Sequence, residues 1–419
     1  MSNSIVKPKL LITGSTFPRF EGDREPRFVY DLAMHMSIYF DITVLVPAAP
    51  DIPLKETMVS QIGEINVVRY RYAPIRCMET LAYPGAIVPR IKEKPIRILL
   101  VPLMLFGLFR AIRTLLREEN YFCVNAHWFI PQGAVQLFFK GKKHPPFVVS
   151  GHGGDVWSLN NYICNNLRKK QLLAASKITV VSEAMKDRLY SLLQPHESFG
   201  EDKIKVLPMG CDVDKFSPHN RSEVFFKETL DLDGIIILFV GRLADVKGVT
   251  YLIDAMADEA LKNTNATLVI VGDGPLRKSL EEKVANLGLC DTVKLFGHAS
   301  HEQLSTIYAS ADIFCSPSII AKDGNREGFL VTNVEASASG LPVVTTKNTM
   351  SYVDNQTAYT VDDKDSKQLS NALCRLVSDK SERTRLGENG MQWAKQLAWN
   401  KVAKRYADVI CEAGGEKRE

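Results

Sequence analysis

Residues 323–344 read DGNREGFLVTNVEASASGLPVV. Two carboxylates, Glu327 and Glu335, stand eight positions apart. Gly328-Phe329-Leu330 follows the first, and the small-residue run Ala336-Ser337-Ala338-Ser339-Gly340 follows the second. Pro342-Val343-Val344-Thr345-Thr346 then reads as a short buried strand. The pattern predicts a glycine-containing loop, a helix from near Phe329 to Gly340, and the strand. The start of such a helix offers free backbone N–H groups and the positive end of its dipole, a seat for phosphate. Glu327 falls just ahead of that seat, and Glu335 about two turns along, roughly 12 Å away at ~1.5 Å rise per residue. That span suits the two ends of a nucleotide sugar, with sugar hydroxyls at one carboxylate, ribose hydroxyls at the other and the diphosphate between. By spacing alone, two solvated glutamates on an ordinary amphipathic helix satisfy the same pattern.

A second group of residues lies upstream. The apolar run 235–240 ends in Gly241-Arg242-Leu243-Ala244-Asp245-Val246-Lys247-Gly248. A guanidinium fork and an ammonium at the mouth of a strand can hold a diphosphate and take up its growing charge as it leaves. The next two apolar runs, 266–271 and 293–296, end in Gly272-Asp273-Gly274-Pro275 and Gly297-His298.

E-G-F followed by E-A-x-A-x-G-L-P-V-V, with G-R-L-x-x-x-K-G and G-D-G-P upstream, resembles the donor motif of the retaining glycosyltransferases called glycosyl transferases group 1. The likeness covers nearly the whole chain. It implies an α/β fold of GT-B architecture, two Rossmann-like βαβ domains facing across a cleft. Residues 1–212 would bind the acceptor, 213–395 the nucleotide sugar, and 396–419 would form a helix crossing back to the first domain. Carried over position by position, the donor would be held by Gly22, Gly241, Arg242, Lys247, Gly272, Gly274, Gly297, His298, Gly328, Phe329, Leu330 and Glu335. Glu327, Arg242, Lys247 and His152 would serve catalysis. Retention of the anomeric configuration follows from the resemblance only, and no residue is assigned as a covalent nucleophile.

The front half opens as a Rossmann-type unit does: a strand at 9–13, a loop at 14–23 and a helix at about 25–39. There is no G-x-G-x-x-G, so a dehydrogenase-type dinucleotide site is not indicated. Gly22-Asp23 stands where the family often has Gly-Gly; the Asp23 carboxylate can repel phosphate or bind an acceptor hydroxyl. Further strands are expected at 41–46, 66–72, 122–126, 147–150, 177–182 and 204–207. Two of them deliver His127-Trp128 and Gly151-His152-Gly153-Gly154-Asp155 at their carboxyl ends, where open α/β sheets bind ligands. The family's H-G-x-D loop meets the reacting sugar, which points to His152, with His127 and Asp155 on the acceptor side. Residues 207–216, LPMGCDVDKF, resemble the family's turn between domains. Their D-x-D pattern recurs at 231–233 and 363–365, so no metal site is expected, and no cofactor beyond the nucleotide sugar.

Two stretches depart from the family. Lys347-Asn348-Thr349-Met350 stands in place of a Gly-Gly-x-x-Glu segment. Asp354-Asn355-Gln356-Thr357-Ala358 stands for an Asp-Gly-x-x-Gly turn, with Asn355 suited to a left-handed position. Helices are expected at 366–378 and 381–413, with Trp393, Trp399 and Tyr406 as anchors of the last one, and residues 414–419 as a frayed tail.

At 419 residues, 45% hydrophobic and 24% charged, the chain has material for two ordinary cores. Its net charge of +4 is unevenly placed: the cationic excess lies in residues 1–220, and the remainder is net acidic. A basic front half suits an anionic partner, either lipid headgroups or a phosphorylated acceptor. The excess is diffuse and matches no nucleic-acid module. Eight dispersed cysteines without a C-x-x-C fit neither a zinc cluster nor a disulfide framework. With an apolar run at 10–12 far too short for a signal peptide, the expectation is a cytoplasmic protein, with contact to the inner membrane surface an option. Residues 98–109 carry no charge and are followed by Arg110, Arg113 and Arg117. The run is shorter than a membrane span. It reads as a core helix, bent or interrupted at Pro102, or as an amphipathic segment resting on a membrane.

The function expected is transfer of a hexose from a UDP- or GDP-linked sugar to a lipid-diphosphate-linked or polysaccharide-precursor acceptor. A soluble acceptor, nucleotide-sugar epimerisation on the same fold, and nucleotide-sugar binding without catalysis are the alternatives.

Overall fold

In the computed structural model, the described residues are 6–415 apart from 24, 53–58, 84, 86, 140–143, 194–199, 323 and 348–354. The chain forms two compact units. One takes the residues up to Met209 together with Trp399 onward, and the other takes Gly210–Ala398. The exchange falls between Met209 and Gly210, where the boundary read from the sequence lies after residue 212.

The first unit is built on eight strands: β1 (Lys9–Thr13), β2 (Asp41–Pro47), β3 (Val59–Ile62), β4 (Ile65–Tyr70), β5 (Cys123–His127), β6 (Phe147–Gly151), β7 (Lys177–Val180) and β8 (Ile204–Val206). They lie in the order β3-β4-β2-β1-β5-β6-β7-β8. All neighbours are parallel except β3 and β4. The central strands are buried along their length, β5 and β6 at every residue, as parallel strands covered on both faces must be. The edge strand β3 went unrecognised in the sequence because V-S-Q-I is short and half polar. It is paired through a tight hairpin at Gly63, whose φ of 58° suits glycine.

The second unit has β9 (Ile235–Val240), β10 (Ala266–Val271), β11 (Val293–Gly297), β12 (Ile313–Ser316), β13 (Val343–Thr346) and β14 (Tyr359–Val361). Their order, β11-β10-β9-β12-β13-β14, is 3-2-1-4-5-6 in the unit's own count, and every pairing is parallel. The order reverses between β9 and β12, the place where doubly wound sheets open a crevice for ligands. The same reversal falls between β1 and β5 in the first unit.

Three expectations need correction. Residues 98–109 are part of a longer helical stretch: a 3-10 turn, Pro95–Leu99, leads directly into the helix Leu100–Glu118. Pro102 does not interrupt it, because it falls in the first turn, where a missing N–H breaks no intrahelical bond. The helix is only half core. Leu100, Met104, Leu108 and Ile112 are buried, and Gly107 rides so close to the first unit's sheet that a Cβ there would lie 2.6 Å from the Arg71 carbonyl oxygen. The long helix expected at 381–413 is two, Lys380–Ala394 and Trp399–Gly415, divided by residues 395–398. Trp399 stacks on His35, and the Tyr406 hydroxyl donates to the Leu207 carbonyl at 3.0 Å, which ties the last helix to the first unit. Residues 416–419 of the expected tail lie outside the described residues.

Candidate active site

In the second unit, the loops that follow β9, β10 and β11 stack backbone on backbone. Leu243 N–H donates to the Asp273 carbonyl at 2.9 Å, Leu276 N–H to Leu243 at 3.1 Å, and Gly272 N–H to Gly297 at 2.7 Å. This closeness explains two of the glycines. A Cβ on Gly272 would lie 1.9 Å from the Gly241 carbonyl oxygen, and one on Gly274 2.4 Å from that of Leu243. Both shape these loops, and the structure gives them this packing role irrespective of any ligand contact. Gly248, at φ 66°, closes the β9 loop against the segment after β12, where a Cβ would lie 1.9 Å from the Pro317 carbonyl oxygen.

These approaches bring Lys247 and Glu327 together across the switch point. Lys247 Nζ lies 3.1 Å from Glu327 Oε1, with side chains 16% and 20% exposed. Read from the sequence alone the two residues have separate tasks; in the structure they form a largely enclosed ion pair with a solvent-facing edge. Arg242 is exposed on the same loop, and its guanidinium makes no ion pair among the described residues. Gly328 and Leu330 are buried, so Leu330 presents only backbone, while Phe329 is half-buried and His298 exposed. The helix begins at Val331, two residues later than expected, with Leu330 extended as its N-cap. It ends at Ala338, and Gly340 at φ 82° reverses the chain so that Leu341 N–H donates to the Ala336 carbonyl. Asp323, at the head of the motif, lies outside the described residues.

Glu335 sits partly buried on that helix and accepts a hydrogen bond from the Tyr308 hydroxyl at 2.9 Å. Burial pushes its carboxyl up to about 7, against the opposing pull of the Tyr308 hydrogen bond and of Lys215. Tyr308 had no sequence signal beyond an apolar helix face. A pocket beside the start of the helix Val249–Met256 is lined by Tyr251, Ile319, Lys322 and Lys364 and by none of the expected donor residues.

In the first unit, a hydrogen-bonded chain runs across three parallel strands. The Thr179 hydroxyl donates to Ser150 Oγ at 2.8 Å, and Ser150 donates to Asn125 Oδ1 at 2.9 Å. The Asn125 amide donates to His127 Nε2 at 3.3 Å, and His127 Nδ1 lies 2.8 Å from His152 Nε2. An amide NH2 can only donate, so His127 Nε2 accepts and its proton sits on Nδ1, pointing at His152. His152 Nε2 then accepts, which leaves its Nδ1–H as a buried donor without a partner among the described residues. Phe28 and Trp128 box the ring, with centroids 5.0 and 5.2 Å away. Burial holds the His127 imidazole down at about 3, and burial, followed by the neighbouring His127, holds His152 well below the ordinary histidine range. Both rings are neutral at physiological pH. Asn125, Ser150 and Thr179 were missed in the sequence. Their signal is a polar residue near the carboxyl end of three otherwise apolar buried strands.

Three site expectations do not survive the geometry. His127 is completely buried between Asn125 and His152, so it positions its neighbour and cannot reach an acceptor. Asp155 receives backbone N–H groups from Phe129 at 2.9 Å, His152 at 3.0 Å and Gly153 at 3.1 Å. Its carboxylate therefore shapes the His152 loop and does not face an acceptor. Asp23 is buried against Arg19, which donates to it from Nε and Nη2 and from the backbone N–H. It presents no free carboxylate to phosphate or acceptor. Gly22, by contrast, at φ 81°, has open space where a Cβ would stand. Of the two departures from the family, Asn355 adopts the left-handed conformation expected, at φ 59°. Asp354 and residues 348–350 lie outside the described residues. The Asp212 carboxylate caps its own turn by accepting the Lys215 N–H at 2.9 Å.

Comparison with known proteins places both halves. Residues 220–393 match the family model described as Glycosyl transferases group 1, and residues 26–215 match Glycosyltransferase Family 4. A GDP-mannose-dependent alpha-(1-6)-phosphatidylinositol monomannoside mannosyltransferase of Mycobacterium tuberculosis is 26% identical over 270 residues, 63% of this chain and 69% of its own. The capsular polysaccharide biosynthesis glycosyltransferase CapM of Staphylococcus aureus is 26% identical over 264 residues, 60% of this chain and 66% of its own. Among solved structures, sucrose-phosphate synthase from Thermosynechococcus elongatus superposes with a TM-score of 0.75 at 19% identity, covering 97% of this chain and 99% of that one. Anabaena HepE in complex with UDP and glucose gives 0.70 at 18% identity, covering 96% and 99%.

Proposed function

This chain belongs to the GT-B glycosyltransferases of the glycosyl transferases group 1 family, and from that premise we propose that it moves a hexose, with retention, from a UDP- or GDP-linked sugar to a lipid-linked acceptor. It is a glycosyltransferase of the GT-B type that uses nucleotide sugars. The observation that carries the finer reading is the partly exposed Lys247–Glu327 pair at the β9/β12 switch point, with the Arg242 guanidinium on the same loop.

A diphosphate carries more negative charge than one carboxylate, so it competes with Glu327 for Lys247. Bound there, it also takes Arg242 and the backbone at Gly328 and Phe329, and it frees Glu327 to accept from the hydroxyls of the sugar. Glu335 takes the ribose hydroxyls. His152 keeps a donor at Nδ1 in the first unit, suited to a sugar hydroxyl. In the reaction the bond from the anomeric carbon to the phosphate oxygen breaks, and a bond to the acceptor oxygen forms on the same face. The acceptor proton passes to the leaving diphosphate. Lys247 and Arg242 supply the positive charge that leaving requires, so no divalent cation is assigned.

The lipid-linked acceptor is supported by the basic first half and by the named activity of the mycobacterial relative. A soluble phosphorylated acceptor is favoured instead by a D-inositol 3-phosphate glycosyltransferase of Corynebacterium kroppenstedtii, 30% identical over 252 residues, 57% of this chain and 54% of its own.

The test is incubation with UDP- and GDP-hexoses and either a lipid-diphosphate sugar in detergent or a sugar phosphate, with EDTA present. Transfer to the lipid acceptor with retained anomeric configuration is expected, and Glu327→Ala should abolish it while nucleotide binding persists. Isomerised donor without acceptor would assign an epimerase. Donor binding without transfer to any acceptor would assign a non-catalytic homologue.

A further inference from the structure

Among the described residues, one face of the helical stretch Pro95–Glu118 has no protein partner. Residues 96, 99, 103, 106, 110, 113 and 117 are exposed, at a spacing of three and four that keeps them on one side, with Pro95, Ile98, Pro102, Thr114 and Glu118 exposed beside them. The first four are Ile96, Leu99, Leu103 and Phe106, exposed at 72%, 65%, 41% and 65%. The last three are Arg110, Arg113 and Arg117, and none forms an ion pair among the described residues. Phe138, 72% exposed, packs edge-on against Phe109 of the same helix and widens the apolar patch. Residues 94–117 contain five cations and no Asp or Glu.

From this stripe we propose that the first unit docks on an anionic lipid bilayer through the exposed face of the helix Leu100–Glu118. The side chains are those an interfacial helix needs: branched and aromatic groups to enter the acyl boundary, and long arginines to reach lipid phosphates. Glu118 is exposed at the end of the helix, but the stripe from Ile96 to Arg117 carries no acidic group that would repel such a surface. It also offers almost no amide or hydroxyl groups for the directed hydrogen bonds of a protein partner. By length and composition the stretch could cross a membrane. Its other face rules out crossing here, since Leu100, Met104, Leu108 and Ile112 are buried in the first unit. Arg97 is likewise buried, held by Thr80 Oγ1, the Arg90 carbonyl and Glu93. The helix therefore lies along the surface. This placement suits the lipid-linked acceptor, yet it stands on its own observations.

The experiment is flotation of the full chain with phosphatidylcholine vesicles and with vesicles containing phosphatidylglycerol, at low and high salt. Binding to the anionic vesicles, weakened by salt, is expected. Combined Arg110→Gln, Arg113→Gln and Arg117→Gln should lower partitioning on the order of 100-fold, because each surface cation near an anionic leaflet contributes about fivefold. Leu103→Ser with Phe106→Ser should lower it about tenfold. Both variants change exposed side chains and should keep the melting temperature and the nucleotide-induced shift in it. Absence of flotation by the native chain would overturn the proposal, as would variants that float like it. Vesicle binding without transfer to a lipid acceptor would overturn the acceptor assignment and leave the docking face intact.

Discussion

His127 Nδ1 lies 2.8 Å from His152 Nε2, in a pair where one ring is wholly enclosed and the other keeps a single N–H without an acceptor among the described residues. The inner histidine sets the tautomer of the outer one. Its buried neutrality also has a cost at low pH. The folded-state value of His127, about 3, lies below the unfolded value near 6.5, so the unfolded chain binds more protons below that pH. The contribution is complete above about 6.5 and is lost as pH falls. Between pH 7 and pH 5 the loss should be about 2 kcal/mol. His127→Gln, which keeps a donor and an acceptor but does not titrate, should flatten that part of the profile. Thermal melts of both proteins at pH 7 and pH 5 make the comparison.

The same chain of hydrogen bonds predicts a distant effect. Asn125→Leu removes the donor to His127 Nε2 and frees the imidazole proton to move to that nitrogen. His152 would then lose its fixed Nδ1–H. Transfer should fall by tenfold or more, with nucleotide affinity in the second unit unchanged. Nitrogen NMR of the His152 ring should report the altered tautomer. An unaltered tautomer with lowered activity would point to simple structural damage.

Glu335 should behave in the opposite sense to His127. Its folded-state value, about 7, is above the ordinary carboxyl value, so the folded chain holds a proton that the unfolded chain has lost. Stability from this group therefore falls as pH rises from about 4.5 to 7, by roughly 1–2 kcal/mol for a partly exposed site. In the proposed donor site ribose hydroxyls would donate to the ionised form, so nucleotide affinity should rise over pH 6 to 8. Glu335→Gln should remove both dependences, as measured by melts and titration calorimetry across that range.

Two glycines with similar positive φ should respond differently to alanine. Gly248→Ala drives a Cβ into the Pro317 carbonyl and should cost on the order of 3 kcal/mol or more. Gly22→Ala meets open space and should cost only about 1 kcal/mol. Denaturant melts of the two variants give the ratio directly.

Much of this architecture was legible in the chain. Near-continuous apolar runs such as 235–240 and 266–271 gave the buried parallel strands, and the glycine loops after them marked the crevice ends. Arg242, Lys247 and Glu327 were found because charge at a strand mouth is conspicuous. Their pairing was not, since it depends on Gly248 lying against the Pro317 backbone, a contact between segments about seventy residues apart. Asp155 and Asp23 were misread for a related reason: a carboxylate in a glycine loop looks available until its backbone and arginine donors are seen. A bend or interruption was expected at Pro102 because a proline in the first turn of a helix looks in sequence like a break.

The central assignment is that Lys247 and Arg242 grip the diphosphate of the donor. The most direct measurement is the dissociation constant of UDP and of GDP for the native chain and for Lys247→Met, by titration calorimetry. Loss of one charge-assisted contact to phosphate predicts at least tenfold weaker binding of the preferred nucleotide, with the melting temperature little changed. An unchanged constant would contradict the assignment and move the diphosphate away from the Lys247–Glu327 pair.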